Sequence, residues 1–462
     1  MNKARLIVLF LLFSTQLFSQ KFSKQEVLQD LEYLEQSLEQ THYDLFAYTS
    51  QEEFSRNTAQ VRAAVKQDSI SFLQAVNLSQ RIISAANTGH AEIDFPVSSY
   101  IEHARKGGKL FPLELALEKG KALIRQNFSD NPKLSKGAEV LSINGKSMES
   151  ILESIYPQLS AERLRLKNAK LEFWSFPRLY WQVFGAQKTY EIQVRDSVGT
   201  HSYAVAGITV MEFEEKRQGE ILTTNRKLRF FEDIAYLNPG PFSSAEENGE
   251  AMFKIFIDSA FAELKKRDSE VLIIDLRNNS GGHNAYSDHL VSYFADKPFK
   301  WHSSFSLKTS EILKEQTRKY NDTTERYFKR ILDEPSGSIY DYSYEAYQPM
   351  EEDKRFKGTV YVLINRQTYS MAAVTAALVQ DYGFAEIVGE ETGDLPSLHA
   401  SQFSYSLPNT GIVVKVPKGY MVRPNKSEKL KGVIPDIKIK DHLLDEQDEI
   451  LDTLLEKLKI GY

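Results

Sequence analysis

The sequence predicts an α/β protein, and three stretches with different hydrophobic patterns along its 462 residues indicate this class. Residues 24–90 repeat apolar side chains every three or four positions, which is typical of amphipathic helices. Residues 109–208 alternate apolar and polar side chains, as half-buried strands do. From Arg229 onward, strand-like runs alternate with helical segments, and this order favours a core of mainly parallel strands covered by helices.

The C-terminal half contains four strand-like runs separated by helical segments. The strand candidates are F-E-D-I-A-Y-L-N, E-V-L-I-I-D-L-R, G-T-V-Y-V-L-I-N and A-E-I-V-G-E, and the helix candidates are Gly249–Lys266, Asn284–Phe294 and Met371–Asp381. Residues 303–350 interrupt this order with charged and tyrosine-rich sequence. Because a crossover needs far fewer residues, this segment predicts an insertion that forms a lid or rim.

The first half of the chain divides into two patterns. Three helices are expected between Lys24 and His90, and Gly89 is a natural stop for the last of them. The stretch K-G-A-E-V-L-S-I-N-G-K-S-M-E-S-I-L predicts a short strand, an Asn-Gly turn and a helix. An aromatic helical insert is predicted around Phe173–Phe184, inside an otherwise mostly β module.

Composition and the N-terminal residues limit the classes of function. The formal charge is −6 and no basic run occurs, which argues against nucleic acid as a partner. The absence of cysteine excludes disulfides and thiolate catalysis. Residues 1–20 place Lys3 and Arg5 before the apolar run Leu6–Phe13, the layout of a secretory signal peptide, with an uncleaved anchor as the alternative. We therefore expect an exported protein, periplasmic or extracellular, with no stable membrane span after signal removal.

The serine at position 370 begins a helix of small residues directly after a predicted strand, in N-R-Q-T-Y-S-M-A-A-V. Two interpretations are open from this stretch alone. Serine is a preferred N-cap, because its hydroxyl accepts an otherwise unpaired backbone N–H. Alternatively, Ser370 is a nucleophile at the positive end of the helix dipole.

A second strand ends in polar residues and glycines, in V-L-I-I-D-L-R-N-N-S-G-G-H from Val271 to His283. Glycines at such a point let backbone N–H groups approach a phosphate or an oxyanion closely. A simple strand-to-helix turn is the alternative. No phosphate-binding motif of the P-loop or dinucleotide type accompanies these glycines, so nucleotide binding is disfavoured.

The candidates for acid–base chemistry are individually weak. His90 stands where the helical region meets a strand, and His283 beside the glycines is its local rival. Glu428 lies in a predicted loop shortly before G-V-I-P-D, where a solvated surface charge is the ordinary alternative. No close histidine pair with metal-ligand spacing occurs, so neither a metal nor an organic cofactor is expected.

Four stretches together resemble the serine peptidase family that contains the C-terminal processing (tail-specific) proteases and the tricorn core protease. They are T-G-H after the N-terminal helices, G-A-E-V-L-S-I-N-G, D-L-R-N-N-S-G-G, and T-Y-S-M-A-A-V-T-A-A-L followed by V-G-E-E-T-G. The resemblance runs from about residue 21 to residue 440. It implies a crotonase/Clp-protease-like core with a PDZ-like domain, and a peptide or unfolded protein as substrate.

The resemblance also implies roles for individual residues. Ser370 matches the nucleophile, and the backbone N–H of Met371 with that of Gly281 or Gly282 matches the oxyanion donors. Leu395 stands about where one branch of the family has a lysine. The tricorn-like branch uses a histidine and a glutamate at the positions of His90 and Glu428.

One departure from the tricorn-like pattern leaves alternatives open. Gly89 stands where that branch has a serine beside the histidine, so a water or another hydroxyl would have to replace it. A catalytically silent relative that binds peptide or lipid, and an esterase with the same serine, therefore remain alternatives to an endopeptidase. The predicted regions are a signal peptide (1–20), a helical domain (21–95), a PDZ-like domain with a helical insert (105–210), a peptidase core (211–445) and a C-terminal helix (446–462).

Overall fold

The computed structural model describes residues 21–217 and 224–460. The predicted signal peptide at residues 1–20 lies outside the described residues. Within the described ranges, no helix is both long enough and apolar enough to cross a bilayer. Helices and several separate sheets make up the described chain, which confirms the predicted α/β class.

The N-terminal region forms the three helices that the apolar periodicity predicts. Serine caps the start of each one, because Ser23, Ser50 and Ser71 accept the backbone N–H three residues further on. The buried faces pack against one another and against a strand pair from the far end of the chain. The elements are β1 (Lys21–Ser23), α1 (Lys24–Thr41), α2 (Gln51–Ala63), β2 (Ser69–Ser71) and α3 (Phe72–Ser84).

The middle region is a sheet with helices beside it. Asn144 and Gly145 both have positive φ, 50° and 76°, as the predicted two-residue hairpin turn requires. The helical insert is longer than predicted, because it begins at Leu164. The elements are β3 (Glu92–Ile93), α4 (Val97–Arg105), β4 (Lys109–Leu110), β5 (Leu113–Glu118), β6 (Lys121–Asn127), β7 (Glu139–Ile143), β8 (Lys146–Ser147), α5 (Met148–Ile155), α6 (Leu164–Trp174), α7 (Phe176–Phe184), β9 (Thr189–Arg195), β10 (Thr200–Ala206), β11 (Ile208–Thr209) and α8 (Val210–Arg217). Strands β10, β9, β7, β6 and β5 lie side by side in that order, all antiparallel.

The remaining residues form two further sheets. Their elements are β12 (Lys227–Phe231), β13 (Ile234–Asn238), α9 (Gly249–Lys266), β14 (Val271–Asp275), α10 (Asn284–Ser292), β15 (Ser304–Lys308), α11 (Glu311–Tyr320), α12 (Arg326–Asp333), β16 (Ile339–Asp341), β17 (Thr359–Ile364), α13 (Met371–Tyr382), β18 (Glu386–Gly389), β19 (Leu398–Ser406), β20 (Val413–Val422), β21 (Ile437–Lys438) and α14 (Glu449–Ile460). The first sheet has the order β12-β13-β14-β17-β18-β21. Its strands are parallel from β13 onward, as the alternation of strands and helices predicts.

Both faces of this parallel sheet are covered, which explains why its strands are apolar throughout. Leu272 and Ile274 of β14 face a cluster that includes α9, α10 and α13. Their neighbours Val271 and Ile273 face the opposite cluster, which includes α14. Alternate side chains of one strand therefore enter two different cores.

The second sheet was not predicted from the sequence. Strands β16, β15, β20 and β19 lie in that order, and β3 pairs with β20. Residues 303–350 supply β15 and the edge strand β16, so part of this segment belongs to a sheet, while two helices, α11 and α12, lie between these strands. Because only Ala91 separates His90 from β3, the pairing of β3 with β20 fixes the end of the N-terminal region against the C-terminal half.

Candidate active site

Two loops meet at the carboxyl ends of β14 and β17, which are neighbouring parallel strands. Thr368 Oγ1 donates a hydrogen bond to the Leu276 carbonyl at 2.9 Å, and Tyr369 N–H donates to the Asn279 carbonyl at 3.0 Å. These bonds hold the segment before Ser370 against the glycine-containing loop. Crevices at the carboxyl ends of parallel strands are the usual ligand sites of open α/β sheets.

Ser370 has a strained backbone and a hydroxyl that does not cap the helix it precedes. Its φ of 52° and ψ of −128° lie where non-glycine residues are uncommon. The side chain makes no capping hydrogen bond to α13, although Ser370 precedes that helix directly. The N-cap interpretation is therefore wrong. Strain of this kind costs about 1–3 kcal/mol and persists only where the surrounding contacts impose it.

Asp394 supplies one of these contacts. Its Oδ2 accepts the Ser370 backbone N–H at 2.7 Å, and its Oδ1 accepts the Leu395 N–H at 2.9 Å. The side chain is fully buried, and burial raises its pKa to about 6. The sequence analysis did not single out Asp394, although it directly follows the V-G-E-E-T-G element.

His90, the predicted base, lies beside the loop that carries Ser370. Its ring stacks on Tyr369, the residue before Ser370, with centroids 4.9 Å apart and planes 8° apart. The ring is buried, and its Nε2 lies 3.9 Å from Asp394 Oδ2. Neither ring nitrogen makes a hydrogen bond within the described residues. Catalytic hydrogen bonds often tighten only when substrate binds.

The backbone around His90 is held at three points. Gln402 donates to the His90 carbonyl at 2.7 Å. Lys170 Nζ and Tyr369 OH both donate to the Gly89 carbonyl, at 2.7 and 3.0 Å. Because these donors come from α6, from the turn before Ser370 and from β19, the histidine is positioned by three separate parts of the fold.

Glu162 is a second carboxylate near His90 that the sequence analysis missed. Its Oε1 accepts the Gly89 N–H at 2.7 Å, while Oε2 is buried with no hydrogen-bond partner in the described chain. Burial raises its pKa, and the nearby charge of Asp394 acts in the same direction. No local sequence signal marks Glu162, because its significance depends on contact with a residue 73 positions earlier.

The electrostatic environment leaves His90 neutral near pH 7. Burial lowers its pKa to about 4, and the charge of Lys170 contributes in the same direction. Glu162 and Glu92 act in the opposite direction, since negative charge favours the imidazolium. A neutral imidazole is able to accept a proton, and the neighbouring carboxylates would then stabilise its charged form.

The predicted oxyanion donors lie around Ser370, but Gly281 does not offer its N–H. That group already donates to Asn279 Oδ1 at 2.9 Å. The N–H groups of Gly282 and Met371 have no hydrogen-bond acceptor among the described residues. Gly281 instead permits close approach, because a Cβ built there would lie 2.6 Å from the Met371 nitrogen and 2.8 Å from Ser370 Cβ.

Glu428 is not brought into contact with His90. It lies in an exposed loop, as predicted, and accepts a hydrogen bond from Tyr420 OH at 3.0 Å. In the described ranges, no hydrogen bond or ion pair links it to His90. The Tyr420 ring packs on the ring of His399 with centroids 5.0 Å apart.

A cavity of about 830 Å³ opens at this site. Ser370, His90 and Gly282 line one part of it, and His283, the rival base, lines it too. Aromatic side chains, several of them from residues 303–350, form much of the remaining wall. The three residues Asp441, His442 and Glu449 are the one group in the described chain with metal-ligand proximity, and none of them lines this cavity.

Similarity to known proteins agrees with this α/β core. Residues 233–439 match the family model described as Peptidase family S41. A tail-specific protease from Haemophilus influenzae is 25% identical over 190 residues, which are 39% of this chain and 22% of that protein's length. Within this chain, residues 233–439 are therefore similar to peptidase family S41, and the chain spans about a fifth of the length of the tail-specific protease that it matches.

Solved structures extend the likeness of fold beyond that domain. Mature CPAF is similar with a TM-score of 0.64 at 16% identity, over 94% of this chain and 96% of that one. Mature CPAF complexed with lactacystin gives the same score and identity, over 94% and 98%. The shared fold thus includes the helices and the antiparallel sheet that precede residue 233.

Proposed function

We propose that this protein is an exported serine endopeptidase that hydrolyses peptide bonds at Ser370, with His90 as general base. The observation that carries the proposal is the position of Ser370, whose hydroxyl does not cap its helix, on a strained turn beside a buried histidine in the same cavity. The family S41 domain supports a peptide or unfolded protein as substrate.

The proposed reaction proceeds through an acyl-enzyme. Ser370 Oγ bonds to the carbonyl carbon of the scissile peptide while His90 accepts the hydroxyl proton. The C–N bond then breaks as His90 returns that proton to the leaving amine, and water hydrolyses the resulting ester. The N–H groups of Gly282 and Met371 would bind the oxyanion, and one such donor contributes about 3 kcal/mol to the transition state.

The proposal keeps the predicted Ser-His-Glu arrangement and adds two carboxylates to it. We propose that Glu428 acts on His90 indirectly, through the contact of its partner Tyr420 with His399. Glu162 and Asp394 lie closer to His90 and would stabilise its protonated form. In this proposal Glu162 takes over the role of the serine that Gly89 replaces.

The finer assignments of domain and location belong to the same proposal. The antiparallel sheet within residues 105–210 would be the PDZ-like domain, and residues 211–445 the crotonase/Clp-protease-like core. The segment 303–350 would act as a lid, which its contribution to the cavity wall supports. Residues 1–20 would direct export, and residues 446–462 contain the predicted C-terminal helix, α14.

Two alternatives share the same site. Two features favour a silent binder. The ring nitrogens of His90 make no hydrogen bond to Ser370 or to any other described residue, and Gly89 stands where the tricorn-like branch has a serine. An esterase would use Ser370 and His90 on a more reactive carbonyl. The first alternative predicts no activated serine, and the second predicts one without peptide hydrolysis.

Labelling with a fluorophosphonate tests the proposal. We expect one labelled site, lost in Ser370→Ala and in His90→Ala but kept in His283→Ala, which removes the rival histidine of the same cavity. Labelling that is lost in His283→Ala but kept in His90→Ala would show that His90 is not the base. A folded protein that does not react with the fluorophosphonate would favour the silent binder. Peptide and ester substrates then separate the two hydrolases.

A further inference from the structure

A buried lysine lines the cavity that contains Ser370. Lys418 on β20 is only 6% exposed, and its Nζ donates to the Ser401 carbonyl at 2.9 Å and to Ser401 Oγ at 3.0 Å. Ser401 has a positive φ of 58° and lies on β19 between the pairs Ala400–Gly419 and Gln402–Pro417. The Tyr327 hydroxyl lies 2.8 Å from the same Ser401 Oγ.

No negative charge balances Lys418 within the part of the chain that the structure describes. No carboxylate lies within 4.0 Å of its Nζ, whereas Lys415, three residues earlier on the same strand, pairs with Asp94 at 2.6 Å. Burial lowers the pKa of Lys418 to about 7. Lysine is almost never fully buried without a partner, because desolvation of the ammonium is costly.

The surroundings of the lysine are aromatic and adjoin the catalytic candidates. The Lys418 ammonium lies 5.8 Å from the ring centre of Tyr327 and 5.9 Å from that of Phe403. Gln402, the neighbour of Ser401, donates to the His90 carbonyl at 2.7 Å. One cavity thus offers an apolar wall, a single buried cation and the candidate nucleophile.

We propose that Lys418 binds a carboxylate of the peptide substrate, so that this cavity selects acidic peptides. The inference rests on the proposed endopeptidase function. A carboxylate of the ligand would supply the counter-charge that the fold omits, and the low polarity of the site would strengthen that pair. The carboxylate comes either from an acidic side chain near the scissile bond or from the free end of the peptide.

Paired substrates test the proposal. Internally quenched peptides with Glu or Gln at each position near the cleaved bond form one arm, and peptides ending in a free carboxylate or an amide form the other. We expect kcat/KM about tenfold or more higher for the acidic member in one arm, as a hydrogen bond to a charged group implies. The arm that shows the preference identifies the source of the carboxylate, and equal rates in both arms would overturn the proposal.

Two variants test whether Lys418 causes the preference for the acidic peptide. Lys418→Met keeps the apolar stem and removes the charge, and we expect it to reduce the ratio of kcat/KM values to about one. Lys415→Met removes a lysine from the same strand and should keep the wild-type ratio. A preference that survives in a folded Lys418→Met protein would contradict the assignment.

A measurement on the unaltered protein covers the case in which Lys418→Met fails to fold. Phenylacetate should slow fluorophosphonate labelling of Ser370, while the neutral phenylacetamide at the same concentration should not. Equal protection by both compounds would refute a carboxylate site. Absence of labelling without any competitor would instead refute the proposed peptidase function, so the two failures are distinguishable.

Discussion

Glu162 accepts the backbone N–H of Gly89 at 2.7 Å, and its carboxylate stands where a side chain on residue 89 would have to lie. A Cβ built on Gly89 would be 2.9 Å from Glu162 Oε2 and 3.0 Å from Leu166 Cδ2. Contacts this close force the neighbours to move. The lack of a side chain at Gly89 and the position of the Glu162 carboxylate therefore depend on each other.

This relationship predicts that Gly89→Ser destabilises the protein, although serine stands there in the tricorn-like pattern. Overpacking of this kind costs about 1–3 kcal/mol of unfolding free energy. Glu162→Ala removes the obstruction, so the double variant should be more stable than the sum of the two single effects predicts. Urea unfolding of the four proteins measures this coupling, and strictly additive effects would contradict it.

Asp394 should control the reactivity of Ser370 through the backbone. Its replacement by alanine removes the acceptor that holds the Ser370 N–H at 2.7 Å, so the serine should move from its strained position. A displacement of about 1 Å typically costs about 10²-fold in rate. We expect such a loss in fluorophosphonate labelling for Asp394→Ala and a smaller one for Asp394→Asn, whose amide oxygen still accepts the bond. Equal labelling rates in Asp394→Ala and Asp394→Asn would show that this hydrogen bond does not control the reactivity of Ser370.

Gly281→Ala should damage the site more than its backbone angle alone explains. Gly281 and Gly120 have nearly the same φ, +77° and +78°, but no atom lies within 4 Å of a Cβ built on Gly120. Gly120→Ala is therefore a matched control for backbone strain, which costs about 1–2 kcal/mol. We expect Gly281→Ala to lose more unfolding free energy and also its labelling at Ser370. Indistinguishable stabilities and labelling rates of the two variants would contradict the packing argument.

Glu172 links the middle region to the turn before Ser370. It accepts hydrogen bonds from Arg366 Nε at 2.7 Å, Arg366 Nη2 at 3.0 Å and Gln367 Nε2 at 2.7 Å, and all three side chains are buried. Glu172→Ala leaves Arg366 under-compensated and should cost about 3 kcal/mol.

The control for this variant is Glu139→Ala in the middle sheet, whose ion pair with Arg195 at 2.7 Å is partly exposed. Such pairs contribute about 1 kcal/mol or less. Chemical denaturation of both variants gives the comparison. A loss for Glu172→Ala no larger than that for Glu139→Ala would mean that the buried pair adds nothing to stability.

The pH dependence of kcat/KM should report the burial of His90. Protonation removes the base, so activity falls as the pH decreases, and burial places the pKa at about 4. We expect the acid limb well below the ordinary histidine value of about 6.5. Glu92→Gln removes a negative charge that favours the imidazolium. Burial acts to raise the pKa of Glu92, but the charge of Lys170 and its other contacts hold that pKa below the ordinary value, so the carboxylate keeps its charge further into acid than Glu162 does, and the limb of Glu92→Gln should lie at still lower pH. A limb that shifts upward in Glu92→Gln would contradict this assignment.

Much of the fold could be read from the sequence, because its signals are local. Apolar spacing defined the three N-terminal helices and the parallel strands, and Asn144-Gly145 defined a hairpin turn. Strands β19 and β20 were missed, although they are the longest, since polar and aromatic residues interrupt their pattern. Their partner β15 lies in the segment that was expected to be a lid or rim.

By itself the sequence determined the periods of the helices and strands. It also determined the serine that follows one strand and the glycines that follow the strand beside it. These depend on residues close together in the chain. The tertiary structure alone decided that Asp394 holds Ser370, that Glu162 covers Gly89, that Glu428 contacts Tyr420 and that Lys418 is buried without a carboxylate partner among the described residues. Such contacts join residues far apart in the chain, and burial, which sets the charge of each group, exists only once the elements have packed.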